Sequence, residues 1–465
     1  MKADAAPNPI PQDDVARCGL SWAAKVVCSG VFITGRDPGE TFRASCAWMA
    51  ASEEILQEAT ENRNVAALMN LPVTIEVDHE RRGVRLELDG VDAYAFYHAD
   101  QGSVVSSKPH PELAFAPQKL KRNPEAGVFS GSVEDPDPIF QPALTRAFKN
   151  SFQFTNALVV AHRGEIVAEA YADGYDENSR FEAWSMGKSL AATLVGLTHQ
   201  QGLIDLDEPA GFAAWQAPTD PRRDIRVRDL LNMASGLEFT GSYGRSEDHT
   251  VKAENGLCLD HTYVYAGGVD SFEFSVSKPL AHAPGTNGRY RNCDPLLAVG
   301  LVRERAAGGD VKEFLHWPQR HLFNPLGCTD MVLETDPFGH FLISGHDYGT
   351  ARDWARLGQL YLNRGYWQGN QLLAPEFVDF VQTPAEKAWH HDPYYGGFFC
   401  TNATGIIPTL PNDAFWMSGG GRQRVMIVPS LDLVVVRMGH IAGFVFDLDN
   451  TLNEVYREIA EAVAA

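Results

Sequence analysis

Paired cysteines, excess positive charge and long apolar runs are all scarce in this chain. The cysteines, at 18, 28, 46, 258, 293, 328 and 400, are odd in number and form no Cys-x-x-Cys pair. That argues against a zinc ribbon, a dithiol redox centre or a disulfide scaffold. Lys and Arg number 39 against 60 Asp and Glu, a formal net charge of -21. Such a chain repels phosphate backbones and anionic membrane surfaces, so nucleic acid is not an expected partner. No run approaches the roughly 18 apolar residues that span a bilayer, and the most apolar region near the start is broken by Lys25. No membrane span is expected. The one dense histidine cluster, His390-His391-Asp392, has adjacent side chains that diverge. It reads as a surface turn, and no metal or cofactor is expected.

The first residues lack the continuous apolar stretch of a secretory leader. As written the chain reads as cytoplasmic, while an opening rich in Ala, Asp and Pro suits a processed periplasmic protein equally well, so the compartment stays open. No residue pattern addresses the oligomeric state.

What is present is globular composition, 44% hydrophobic and 21% charged over 465 residues, enough for one large catalytic domain with an added segment. Residues 1–17 read as a loose tail. From 18 to 125 amphipathic pieces alternate: a helical stretch from Ser45 to Glu61, then strand-like Val73–Val77 and Val84–Leu88 around a turn. Prolines at 109, 111, 117 and 124 mark a connection, which sets a boundary near 125.

Beyond it, Ala157–His162 and Ile166–Tyr171 flank Arg163-Gly164-Glu165 as a hairpin, and Val425–Val428 with Leu433–Val436 form another, followed by a helix over Glu454–Ala464. The signal between the hairpins is mostly helical, as in Met186–Gln201 and Val227–Ala234. Short loops require antiparallel pairing. The economical arrangement is an α+β fold: an antiparallel sheet built from both ends of 126–465 and flanked by helices, with a mostly helical subdomain over roughly 200–400 and the site between the two.

Three elements carry chemistry. Trp184-Ser185-Met186-Gly187-Lys188 opens a nearly all-apolar helix. A spacing of three puts Ser185 and Lys188 on one helical face. Serine needs a base to act as a nucleophile, and a lysine kept neutral by burial can be that base. A bare Ser-x-x-Lys is more often a helix start with Ser as cap and Lys in solvent. Ser275-Val276-Ser277-Lys278 is a second instance, but Pro279 follows and no apolar helix begins there.

The second element, Arg289-Tyr290-Arg291-Asn292, lies at the edge of a helix and offers a phenol for proton transfer and an amide for orientation. Plain packing is the commoner use of such a tyrosine, and Tyr361-Leu362-Asn363 repeats the pattern on an ordinary helix end. The third, Met417-Ser418-Gly419-Gly420-Gly421-Arg422, precedes the final hairpin, and its glycines let backbone approach a ligand. A glycine bulge at a strand edge gives the same letters.

Taken in order, the three elements resemble the serine β-lactamase and penicillin-binding protein superfamily, in the Ser-x-x-Lys, Tyr-x-Asn branch with class C β-lactamases, esterases and 6-aminohexanoate-dimer hydrolases. Gly202–Pro209, Ile225–Leu237, Pro325-Leu326-Gly327 and Ala351–Gly358 resemble its scaffold segments. The resemblance spans roughly 150–463 and leaves the first 125 residues unexplained.

It implies a β-lactamase/transpeptidase-like fold and an amidase, peptidase or esterase working through acyl-Ser185 on a small molecule or short peptide. Lys188 is then the base, Tyr290 the proton relay, and the amides of Ser185 and Gly420 the oxyanion donors. Asn292, Ser418, Gly419 and Trp184 contact or orient substrate. Where penicillin-recognising members carry Lys-Thr-Gly this chain has Met417-Ser418-Gly419, so a linear amide or ester is expected ahead of a β-lactam. Arg422 and Arg291 are candidates to replace the missing cation. A competing reading takes Ser185 as the elbow of an α/β-hydrolase with His346 or His440 as base, yet the polar Asp176–Glu182 is a poor buried strand. A second rival keeps the fold as a binding or sensor protein without turnover.

Overall fold

In the computed structural model, residues 10–51, 55, 70–122, 129, 136–149, 155–241, 256, 258–391, 393–440 and 449–465 are described. The chain opens with a 21-residue helix, Gln12–Phe32, followed by a four-stranded antiparallel sheet in the order β1 (Thr74–Asp78), β2 (Gly83–Leu88), β3 (Val91–Tyr97) and β4 (Ser103–Ser106). The expected tail thus gives way to helix at Gln12. By length and composition this helix is apolar enough to cross a membrane. In the fold it lies against β2, β3 and β4, and its Lys25 is fully buried 3.1 Å from Glu334. Its amphipathic period was illegible because residues facing several directions are buried at once. The helical stretch expected over 45–61 is helix at Ala47–Ala50, and most of its remainder lies outside the described residues.

The second sheet has six antiparallel strands, in which a hairpin from residues 155–171 follows four strands from residues 400–439. Its first hairpin is β5 (Thr155–His162) with β6 (Glu165–Tyr171). Its far half is β12 (Cys400–Thr401), β13 (Phe415–Gly419), β14 (Gln423–Val428) and β15 (Leu433–Gly439). The two ends meet where Val436 opposes Val159. Period-two alternation sorts the side chains onto two faces. Ala157, Val159, Met417, Val425 and Val434 join the large core with the buried Met186–Gln200 and Ala351–Leu362 helices. Leu158, Val160, Trp416, Met426 and Val435 pack on the other face against the Gln141–Phe148 and Asp449–Ala464 helices. The expected α+β arrangement of an antiparallel sheet flanked by helices is therefore present.

The middle region is less purely helical than its pattern. It holds Asp260–Ala266, Ser271–Val276 and Cys293–Ala306. It also supplies two strands to a small sheet, β7 (Arg180–Glu182), β9 (Asp347–Thr350) and β8 (Val332–Leu333) in that order, and a short hairpin of β10 (Tyr366–Trp367) and β11 (Asn370–Gln371). One apolar cluster joins Trp22, Val26 and Leu86 of the N-terminal segment to Trp184, Tyr265, Cys293 and Leu342. The boundary set near 125 falls outside the described residues.

Candidate functional site

Strand β7 delivers the chain to the site. After Glu182, the amide of Ala183 donates to the carbonyl of Asp347 at 2.9 Å. Trp184 then turns at φ +50°, a strained conformation for a bulky side chain and a frequent companion of functional turns. Ser185 enters helical geometry at φ -66° and makes no side-chain cap, so its hydroxyl remains available.

That hydroxyl accepts a hydrogen bond from Lys188 Nζ at 3.0 Å, and the same amine donates to the carbonyl of Ser344 at 2.6 Å. Lys188 is 1% exposed. Burial holds its pKa down to about 7, against the opposing pull of Asp347. Tyr290 lies alongside, its ring centroid 4.7 Å from the amine. An amine that is neutral near pH 7 and touching a serine hydroxyl can remove its proton.

Gly187, between the two motif residues, has no room for a side chain. A Cβ there would lie 2.0 Å from Asp347 Oδ1 and 2.2 Å from the Ile343 carbonyl. Asp347 is buried, neither carboxyl oxygen has a hydrogen-bond partner among the described residues, and burial pushes its pKa well above the usual carboxylate range.

The Tyr290 loop is anchored from below. Arg291, 1% exposed, donates to the Leu237 carbonyl and lies 3.6 Å from Asp294, whose other oxygen accepts from Ser235 Oγ at 2.7 Å. Its charge is spent inside the core, which corrects its nomination as a substrate cation. Asn292 is also fully buried and donates to the His261 carbonyl at 2.6 Å; it ties the loop to the Asp260–Ala266 helix.

Gly419 ends β13 against the serine turn, and a Cβ on it would meet the Ala183 carbonyl at 2.2 Å. Ser418 is half-buried opposite Arg424. Gly420 begins a tight turn with Gly421 at φ +71° and Arg422 at φ +63°. The Gly421 carbonyl accepts from the buried Arg437 at 2.5 Å. Met417 is fully buried in the large core.

Trp184 points elsewhere. It is 6% exposed and packs edge-on against Trp22 and near His346, which makes it a core side chain rather than a substrate wall.

The rival residues are otherwise engaged. His346 Nε2 accepts from Trp22 Nε1 at 2.9 Å and its Nδ1 faces Glu334 at 3.3 Å, so neither nitrogen is left for Ser185. His440 contacts Asn156 and Tyr175. In the second Ser-x-x-Lys, Lys278 is paired with Asp260 at 2.9 Å and Ser275 donates to Ser271. Tyr361 bonds Thr193. His390 and His391 are exposed, and Asp392 lies outside the described residues.

Sequence reasoning missed His261, Ser344, Asp347 and Arg437. Three of these reach the site through tertiary pairing and carry no spacing signal. Arg437 carried one, as a lone charge in the apolar run Leu433–Met438.

A family model described as Beta-lactamase matches residues 152–455. The chain is 24% identical over 302 residues to a 6-aminohexanoate-dimer hydrolase from Paenarthrobacter ureafaciens, covering 61% of this chain and 72% of that protein. Its fold is similar to that of a penicillin-binding protein homologue from Caulobacter crescentus, with TM-score 0.53 at 14% identity over 71% of this chain and 99% of the other. A family VIII carboxylesterase gives TM-score 0.52 at 16% identity, over 70% and 99%. The match of 152–455 takes in all three sequence elements together with the sheet and helices that hold them, and the chain belongs to the β-lactamase family as one of its serine hydrolases.

Proposed function

We propose that this protein hydrolyses a linear amide or ester through a covalent acyl-Ser185 intermediate. The observation that carries the reading is the buried Lys188 amine, 3.0 Å from Ser185 Oγ. In the first half-reaction the Ser185 proton passes to Lys188 Nζ as Oγ bonds to the substrate carbonyl carbon. The negative charge moves to the carbonyl oxygen, where the backbone amides of Ser185 and Gly420 stabilise it. Collapse breaks the bond to the leaving amine or alcohol, which receives its proton through Tyr290. Water then adds to the acyl carbon and gives its proton to the same base system, and the acyl C–Oγ bond breaks as that proton passes to Ser185 Oγ.

Met417, which the resemblance puts where penicillin-recognising members carry lysine, is buried and apolar, which supports a small linear substrate or short peptide. Arg291 does not compensate, because its guanidinium is paired with Asp294. The test is intact-mass analysis after exposure to a mixed library of esters, amides and β-lactams. Wild type should gain an acyl mass that Ser185→Ala does not. A library adduct retained by Ser185→Ala overturns the assignment.

A further inference from the structure

The N-terminal segment reaches the surroundings of the site most directly through Trp22. Trp22, in the Gln12–Phe32 helix, is 4% exposed and sits among four rings: Trp48 at 5.3 Å, Tyr265 at 5.7 Å, Trp184 at 6.0 Å and His346 at 6.3 Å. Trp184 immediately precedes Ser185. His346 lies in the short segment Ser344–Asp347, whose Ser344 carbonyl holds Lys188 and whose Asp347 fills the space under Gly187.

One turn further along the same helix, Lys25 is paired with Glu334 at 3.1 Å, both side chains 0% exposed. Glu334 accepts from Ser29 Oγ and from the Ser103 amide, each at 2.6 Å, and faces His346 Nδ1. Tyr265 bonds Ser344 Oγ at 2.7 Å and packs on His346 at 4.6 Å. Among the described residues, the side chains of Ser344 and His346 are held by Trp22, by Glu334, which the N-terminal segment grips, by Tyr265, against which Trp22 packs, and by the ring of Trp184.

We infer that the N-terminal segment is a working part of the active site, in which Trp22 and Lys25 are positioning residues that hold Ser344–Asp347 and, through the Ser344 carbonyl, orient the Lys188 amine toward Ser185. The inference rests on the hydrolase reading above. Removing one partner of a buried ion pair is costly, because the other is left charged in the interior. A small displacement of a catalytic group is expensive in rate. Groups facing Lys188 from its surroundings are Tyr290, Asp347, His261 and His346. If the floor loosens, water reaches the amine and its ordinary basicity returns.

The experiment uses the full chain with Trp22→Phe, which keeps a ring for packing and removes the N–H to His346, beside Lys25→Met. Folding is followed by circular dichroism, Ser185 labelling by intact mass with a fluorophosphonate, and kcat and KM on a p-nitrophenyl ester across pH. Folded Trp22→Phe should lose about ten-fold in kcat with KM little changed, and its acidic limb should move to higher pH. Lys25→Met should do the same more strongly if it folds. Folded Trp22→Phe with wild-type kcat and an unmoved acidic limb overturns the inference. A lower melting temperature with an unmoved limb does so too, because it shows a role in stability alone. Wild type that is never labelled at Ser185 sinks the hydrolase reading itself, which these variants then cannot be blamed for.

Discussion

Gly419 and Ala183 are in backbone contact: the position a Cβ would take on the glycine is 2.2 Å from the alanine carbonyl. The end of β13 and the turn that presents Ser185 are therefore fitted to each other with no space for a methyl group. The proposed oxyanion donors stand on either side of this contact, two residues after Ala183 and one after Gly419.

Gly419→Ala must push these two backbones apart. Kinetics on an ester should show kcat reduced by about a hundred-fold, the usual size of losing one oxyanion donor. The acidic limb should stay in place, because Lys188 is untouched. Overpacking of this kind costs about 1–3 kcal/mol, read as a lower denaturant midpoint. A variant with full kcat removes Gly420 from the oxyanion site.

The pH profile follows from Lys188. Its amine must be neutral to accept the Ser185 proton, and burial lowers its pKa to about 7. Activity should rise with pH through a single ionisation near 7 and level off above it. In stability the sign is the same. Below pH 7 both native and unfolded chains hold this proton and the native state bears the cost of a buried charge; between 7 and the ordinary lysine value only the unfolded chain binds it, so stability rises with pH. Lys188→Met removes that cost. The variant should be more stable than wild type at pH 6.5 and should lose most of this advantage by pH 9.5 in paired urea titrations.

Asp347 opposes the burial of Lys188, since a carboxylate nearby favours the charged amine. Asp347→Asn keeps the shape of a carboxyl that burial holds toward its neutral form and removes whatever charge remains. The acidic limb should therefore stay in place or move to lower pH. A shift upward shows that the carboxyl acts on the site through packing instead.

The alternative bases and the second motif supply controls. His440→Gln and Ser275→Ala should leave fluorophosphonate labelling of Ser185 intact. Lys278→Met strands Asp260 in the interior, which breaks a buried pair and costs about 3–5 kcal/mol. Its folded fraction should still be labelled at Ser185. Loss of labelling in His440→Gln brings back a histidine mechanism.

The elements read most directly from residue patterns are those whose signal is local. The β5–β6 and β14–β15 hairpins announce themselves by apolar runs around Arg163-Gly164 and Pro429–Asp432, and the pairing of the two hairpins into one sheet follows from economy. The Met186–Gln200 helix is legible from composition alone, and a spacing of three places Ser185 beside Lys188 whatever surrounds them. Tyr290 could be nominated by its order in the chain, but its approach to Lys188 depends on Arg291 and Asn292, whose buried partners Leu237 and His261 no local pattern announces.

What the residues determined by themselves is a hydrolase fold with a serine and an amine one helical turn apart, because periodicity and helix geometry act over a few residues. Only the tertiary structure decided that the amine is buried, that Asp347 and the Ser344 carbonyl meet it, and that Trp22 reaches His346 across 324 positions. Burial and charge depend on neighbours brought in from distant parts of the chain, and those neighbours leave no mark at the position they act on.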